Sequence, residues 1–153
     1  MFVGGSYSEG RRKILDLIKA SVKGCGFHPI LADEFKLRSP DRDVHDVTLW
    51  LLHSCRLAIF DLSTRSGAWM EVERMRDYGI FKALLLYNDA SGRDWLMHPD
   101  VWNTTQMVKS LALEHESQYL VKPYIRPIDA AGEAGKFLRA IKRSSYGEIH
   151  GLR

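Results

Sequence analysis

A chain of 153 residues that is 45% hydrophobic and 27% charged suits one globular domain with a core of its own. Its formal charge of +3 is small, and its Lys and Arg are scattered without interleaved aromatics, which argues against DNA or RNA as a partner. No apolar run reaches the length of a membrane span, and the amino terminus enters a strand-like segment without a signal peptide. Cys25 and Cys55 fit neither a CxxC nor a zinc spacing, so the expectation is a cytoplasmic protein with two buried thiols, no metal, no cofactor and no membrane contact.

In chain order, Met1-Phe2-Val3 reads as a short strand running into Gly4-Gly5-Ser6-Tyr7-Ser8. The spacing of Ile14, Ile18 and Val22 predicts a helix over 9–23, stopped by Gly24. Glycines at a strand-to-helix junction let the backbone approach a ligand, and the free amides of the helix start attract anions such as phosphate. Gly-Gly-Ser lacks the dinucleotide fingerprint and the Walker lysine, and a tight turn with Ser8 as N-cap is the competing reading. Residues 27–32 are expected to form a second strand, followed over 33–42 by a polar loop containing Pro40. In Asp41-Arg42-Asp43-Val44-His45-Asp46 the acids read as N-cap and N3 of the next helix rather than as metal ligands, because no second ligand cluster is visible. That helix carries Val47, Trp50, Leu51 and Ser54, with His53 as a partly buried packing residue.

The run Leu57-Ala58-Ile59-Phe60 has the continuous apolarity of a strand buried on both faces, and it stops at Asp61. After the polar segment Ser63-Thr64-Arg65-Ser66-Gly67, the spacing of Trp69, Val72, Met75 and Gly79 predicts a helix. Ligands of an open α/β sheet bind beyond the carboxyl ends of its strands, so residues 61–67 are the expected site, with Glu71 one turn into the helix and facing that crevice. KALLLY over 82–87 reads as a fourth strand, 101–113 as a helix, and 119–121 as a fifth strand closed by Pro123 and Pro127. The last helix is expected over 129–142, with Ala134, Phe137, Leu138 and Ile141 inward, and 144–153 as a frayed tail. Strands alternating with helices point to one α/β domain over 1–143, a three-layer α/β/α sandwich around about five mostly parallel strands.

Three segments carry a resemblance: Phe2-Val3-Gly4-Gly5-Ser6, then Leu57 to Asp61, then Gly67-Ala68-Trp69-Met70-Glu71 followed by Tyr78-Gly79. In these the chain resembles the superfamily that groups nucleoside 2-deoxyribosyltransferase-like proteins with Toll/interleukin-receptor (TIR) domains. The resemblance implies a flavodoxin-like sheet and action on N-glycosidic bonds, with Glu71 in the place of the transferase nucleophile. Arg56 and Arg65 stand where the transferases carry acids, Phe2 where they carry a tyrosine, and Arg74 and Met75 where their helix residues are smaller. The TIR register, a catalytic glutamate four residues after a tryptophan, would select Glu73 from Trp69. Residues 71 and 73 lie about 200° apart on a helix, so only one can face the crevice, and the spacings to Gly67 and Gly79 favour Glu71.

The implied chemistry is cleavage of a glycosidic bond through an oxocarbenium ion that the Glu71 carboxylate stabilises or captures. The amides of Gly5 and Ser6 with Ser63 would hold sugar or phosphate oxygens, Trp69 or Tyr7 would stack on a base, and Gly4, Asp61 and Gly67 complete the expected substrate-binding set. The partner would be a small nucleoside or nucleotide. The alternative is a non-catalytic nucleotide-sensing or self-associating module on the same fold, favoured if Arg56 and Arg65 both point into the crevice. The plainest reading of Glu71 is an ion pair with Arg74 or Lys13 on a solvated helix face, with Trp69 in the core and Asp61 capping a turn.

Overall fold

Strands buried on both faces must be apolar throughout, and the apolar runs of this chain form one parallel sheet. The computed structural model describes residues 1–34, 44–64, 68–75, 82–88 and 118–150, without the side chains of 44, 45, 69, 73 and 145–150. Within them β1 (Phe2–Gly4), β2 (Leu57–Asp61), β3 (Lys82–Asn88) and β4 (Tyr119–Tyr124) lie in the order β1-β2-β3-β4. Every pairing is parallel, with Phe2 beside Ala58, Ala58 beside Ala83 and Ala83 beside Tyr119. Each strand therefore reaches the same edge with its carboxyl end, where Gly4, Asp61, Asn88 and Tyr124 stand.

Side-chain alternation divides the core in two. Val3, Ile59, Leu84 and Leu86 face α1 (Glu9–Gly24) and α4 (Pro127–His150), meeting Ile14, Leu15, Ile18 and Val22 from the first helix and Ala130, Ala134, Phe137 and Leu138 from the last. Phe2, Ala58, Phe60 and Leu85 face α2 (Val44–His53) and α3 (Ala68–Arg74), meeting Leu51, Leu52, Ala68, Val72 and Met75. Each fully buried Leu, Ile or Phe contributes about 1.5–3 kcal/mol, so these two apolar faces fix the three-layer α/β/α arrangement. Among the described residues no helix is long and apolar enough to cross a membrane.

Among the described residues four strands stand where five were expected, because 27–32 makes only an isolated parallel bridge between Ile30 and Phe2. Ile30 exchanges two backbone bonds with β1, to Met1 and Val3 at 2.9 Å each. The ladder cannot extend, since β1 turns away after Gly4, and the amide of Ala32 donates to the Tyr7 hydroxyl at 3.2 Å instead. The segment still lies outside β1, on the side away from β2, which is its place in the flavodoxin-like order. β4 runs through Pro123 rather than stopping before it. Among the described residues β4 pairs with β3 alone, and an edge strand tolerates a residue without an N–H.

Three further expectations are corrected. The last helix spans Pro127 to His150, starting before and running past the bounds expected for it. Pro127 suits the first turn, and Asp129 at the third helical position accepts the Arg126 backbone N–H at 2.9 Å. His53 is exposed rather than a packing residue, and Trp50 is 66% exposed while Leu51 and Leu52 fill the core. Of the two thiols, Cys55 is buried and Cys25 only partly so. The helix expected over 101–113, Pro40, Asp41 and Asp43 fall outside the described residues.

Candidate functional site

The β1–α1 junction is shaped by close packing. A Cβ on Gly4 would lie 2.6–2.7 Å from the rings of Phe60 and Phe2, which themselves pack with centroids 5.5 Å apart. At Gly5, where φ is +157°, a Cβ would lie 3.1 Å from the backbone oxygen of Asp61. Both glycines are buried, so their smallness seats the turn on β2. Ser6 donates to the Ser8 hydroxyl at 3.1 Å, and Ser8, although at the N-cap position of α1, makes no side-chain cap bond. The amides of Arg11 and Arg12 instead bond the Ser8 carbonyl at 2.9 and 2.8 Å.

Asp61 ends β2 on the face shared with Ile59, toward α1. It is 2% exposed, and its Oδ1 accepts the Ser63 N–H at 3.2 Å, the Tyr124 hydroxyl at 3.0 Å and the Ser63 hydroxyl. Arg11 approaches Oδ2 at 4.0 Å and donates to the Tyr124 hydroxyl at 3.2 Å. The Asn88 amide donates to Ser63 Oγ at 2.7 Å. This cluster ties the ends of β2, β3 and β4 to α1. Burial, then the Asp61 charge, pushes Tyr124 up to about 12, so its hydroxyl stays a donor across the physiological range. Beyond it, Thr64 Oγ1 is buried and makes no hydrogen bond among the described residues.

Glu71 stands on the other side of the sheet, on α3. Ala68, Val72 and Met75 form the buried stripe of that helix, and residue 71 lies about 60° from the first and about 40° from the last. Glu71 is partly buried as a result, while Met70 and Arg74 are exposed. Its pKa is pushed up from 4.5 to about 7, and burial is the cause. Among the described residues no ion pair reaches it, Lys13 and Arg74 included. Tyr7 faces it from the β1–α1 turn: burial first and the Glu71 charge second raise the phenol to about 12. Tyr7 also packs against both core clusters, bridging the two sides of the sheet edge.

The expected site residues thus fall into two groups. Asp61 and Ser63 are joined directly, with Gly5 packed on Asp61; Tyr7 is joined to Glu71 by charge. Gly67 and Arg65, and the side chains of Trp69 and Glu73, lie outside the described residues. Arg56 precedes β2 and is exposed at the amino end of the sheet, away from the carboxyl edge. Sequence reasoning missed Arg11, Tyr124 and Asn88. Arg11 sits in the first turn of α1, where an acid is the usual choice, and that oddity was the available signal. Two cavities, of about 200 and 540 Å³, flank β4 and α4 around Leu120, Phe137 and Ala140, and neither is lined by Glu71 or Tyr7. Among the described residues no three His, Cys, Asp or Glu side chains group as metal ligands.

No family model matches the chain, and no curated protein matches it. Among solved structures it is similar to a de novo designed Rossmann fold protein, with a TM-score of 0.39 and 11% identity, over 91% of this chain and 97% of that one.

Proposed function

We propose that the protein binds a nucleoside or nucleotide at the carboxyl edge of its sheet and cleaves or transfers the N-glycosidic bond, with Glu71 as nucleophile or electrostatic stabiliser. One observation carries this reading: Glu71 is a partly buried carboxylate, raised to about 7 by burial, without an ion-pair partner among the described residues. A carboxylate in a poorly solvated place gains when a cationic sugar develops beside it. Near neutrality it is divided between its two forms, so it can also exchange a proton with a leaving group. Tyr7, a neutral phenol in the β1–α1 turn, offers a flat face for a base.

The test is base release from a panel of nucleosides, nucleotides and NAD by the parent, Glu71→Gln and Glu73→Gln. The first change should lower the rate on the order of 10²-fold or more, because it removes the negative charge that the transition state requires. Glu73→Gln should release base at the parental rate. Parental rates in both variants would end the enzyme reading.

A second reading, a nucleotide-sensing module without catalysis, is favoured by the state of Asp61. Its Oδ1 and the Ser63 hydroxyl are committed to each other and to Tyr124, which leaves no acid there to protonate a departing base. Calorimetric binding of a nucleotide with no base released would select it.

A further inference from the structure

Among the described residues β4 leaves one long side of the sheet open. The Ala83 amide donates to the Gln118 carbonyl at 2.9 Å, so in this parallel ladder the even-numbered residues of β4 turn their backbone groups toward β3. Val121 therefore turns its N–H and C=O the other way, and Pro123 its C=O alone; among the described residues no strand meets them. Side chains alternate too. Lys82, Leu120 and Lys122 face α4, and opposite them Glu133, Lys136, Phe137 and Ala140 form one stripe of that helix, spaced by three, one and three residues. The cavities of about 200 and 540 Å³ lie between strand and helix. Both are lined by Leu120, Phe137 and Ala140, so they make one groove, and Leu120 on its floor is 41% exposed. Its charge is one-sided. Among the described lining residues Glu133 is the one acid, and it pairs with Lys136 at 2.6 Å. Among the described residues no ion pair reaches Lys82 or Lys122.

We propose that this groove takes an extended acidic peptide segment of a partner protein, laid along β4 with its backbone on Val121 and one row of its side chains toward α4. The two uncompensated lysines set the sequence it reads. Lys122 stands beside Leu86, which is four residues along β3 from Lys82, so the two cations are about 13 Å apart along the sheet. An extended chain carries residues i, i+2 and i+4 on one face over that same length. The pattern is therefore an acid at Lys82, an apolar residue over Leu120 and Phe137, and an acid at Lys122, with any residue between. Backbone bonds to Val121 supply affinity, and the groove and its charge supply choice. A second copy of this chain fits the edge poorly, because it would set lysines against lysines, and lysine and proline on an edge strand work against such pairing. The proposal is independent of the reading of Glu71, which lines neither cavity.

Fluorescence anisotropy of a labelled Gly-Glu-Thr-Leu-Thr-Glu-Gly peptide on the whole chain tests this. Binding should saturate, and raising NaCl from about 20 mM to about 0.5 M should weaken it roughly three- to tenfold. Lys122→Glu and Lys82→Glu should each weaken it roughly five- to twentyfold at low salt, because an attraction becomes a repulsion. Replacing the second Glu of the peptide by Lys should restore binding to Lys122→Glu, a rescue that only a folded variant can show. Amide exchange reads the backbone: saturating peptide should slow exchange at Val121 roughly tenfold or more and leave the β1 amides unchanged. The proposal is overturned if the peptide fails to bind the parent, if the Lys82→Glu/Lys122→Glu double variant binds it equally well, if the charge swap gives no rescue, or if Val121 exchanges at the same rate with and without it. Sedimentation that finds the parent a dimer and the double variant a monomer would put a second copy in the groove, and would overturn the proposal as well.

Discussion

Two buried or half-buried carboxylates stand near one sheet edge, and they are treated in opposite ways. Asp61 has three donors on one oxygen and a guanidinium near the other. Among the described residues Glu71 has burial alone, and its pKa records it. A saturated carboxylate is spent on structure, because every ligand contact would have to displace a bond already made. A carboxylate that burial strains and nothing neutralises holds free energy that a passing positive charge can release. The sheet edge thus has a tied side, toward α1, and a poised side, toward α3, with Tyr7 between them.

Breaking the tied side should have the largest effect. Asp61→Ala leaves Arg11, Ser63 and Tyr124 facing a buried gap, and a loss of roughly 3–5 kcal/mol in urea unfolding is expected. A loss below about 1 kcal/mol would mean that the cluster is ornamental. On the poised side the sign reverses. The folded state raises Glu71 above its unfolded value, so between 4.5 and about 7 the folded protein holds more protons and its stability falls as pH rises. The rise corresponds to about 3 kcal/mol, absent below 4.5 and complete above about 7. Glu71→Gln should therefore match the parent near pH 4 and exceed it by an amount of that order near pH 8. Equal stabilities at both pH values would show a solvated glutamate.

Smaller effects sharpen the same contrast. Tyr124→Phe removes one hydroxyl from the tied side while Ser63 still serves Asp61, and should cost about 1–2 kcal/mol without altering any catalytic rate at saturation. Arg126→Ala removes the pair between exposed Arg126 and half-buried Asp129, whose carboxyl the Arg126 hydrogen bonds hold below its usual range. A change in melting temperature too small to measure is expected there.

How far the sequence disclosed this follows from what each signal depends on. Leu57–Asp61 and Lys82–Asn88 were legible because a strand covered on both faces must be apolar throughout, and little else in a chain this short looks so. Residues 27–32 are apolar apart from His28 and read as a strand too, yet pairing there depends on the length of β1 and on a Tyr7 hydroxyl that captures the Ala32 amide, neither of which local pattern reports. The placement of Glu71 beside the buried stripe of α3 was readable from helical period. The Asp61 cluster was not, because Arg11 and Tyr124 lie 113 residues apart and no local rule relates them.

The two faces of the sheet also differ in when they can close. The face built by α2 and α3 draws on segments that lie between the strands they cover, apart from Tyr119, whereas the other waits for Ala130, Ala134, Phe137 and Leu138 of α4. On a ribosome, Val3, Leu15, Ile18 and Ile59 are made early and left without that cover until α4 has emerged. Ser21, which donates to the Ala131 carbonyl at 2.8 Å, then finds its partner 110 residues later. A nascent chain of this kind carries an open apolar surface until α4 has been made, and it is there, rather than at the finished sheet, that a chaperone would have something to hold.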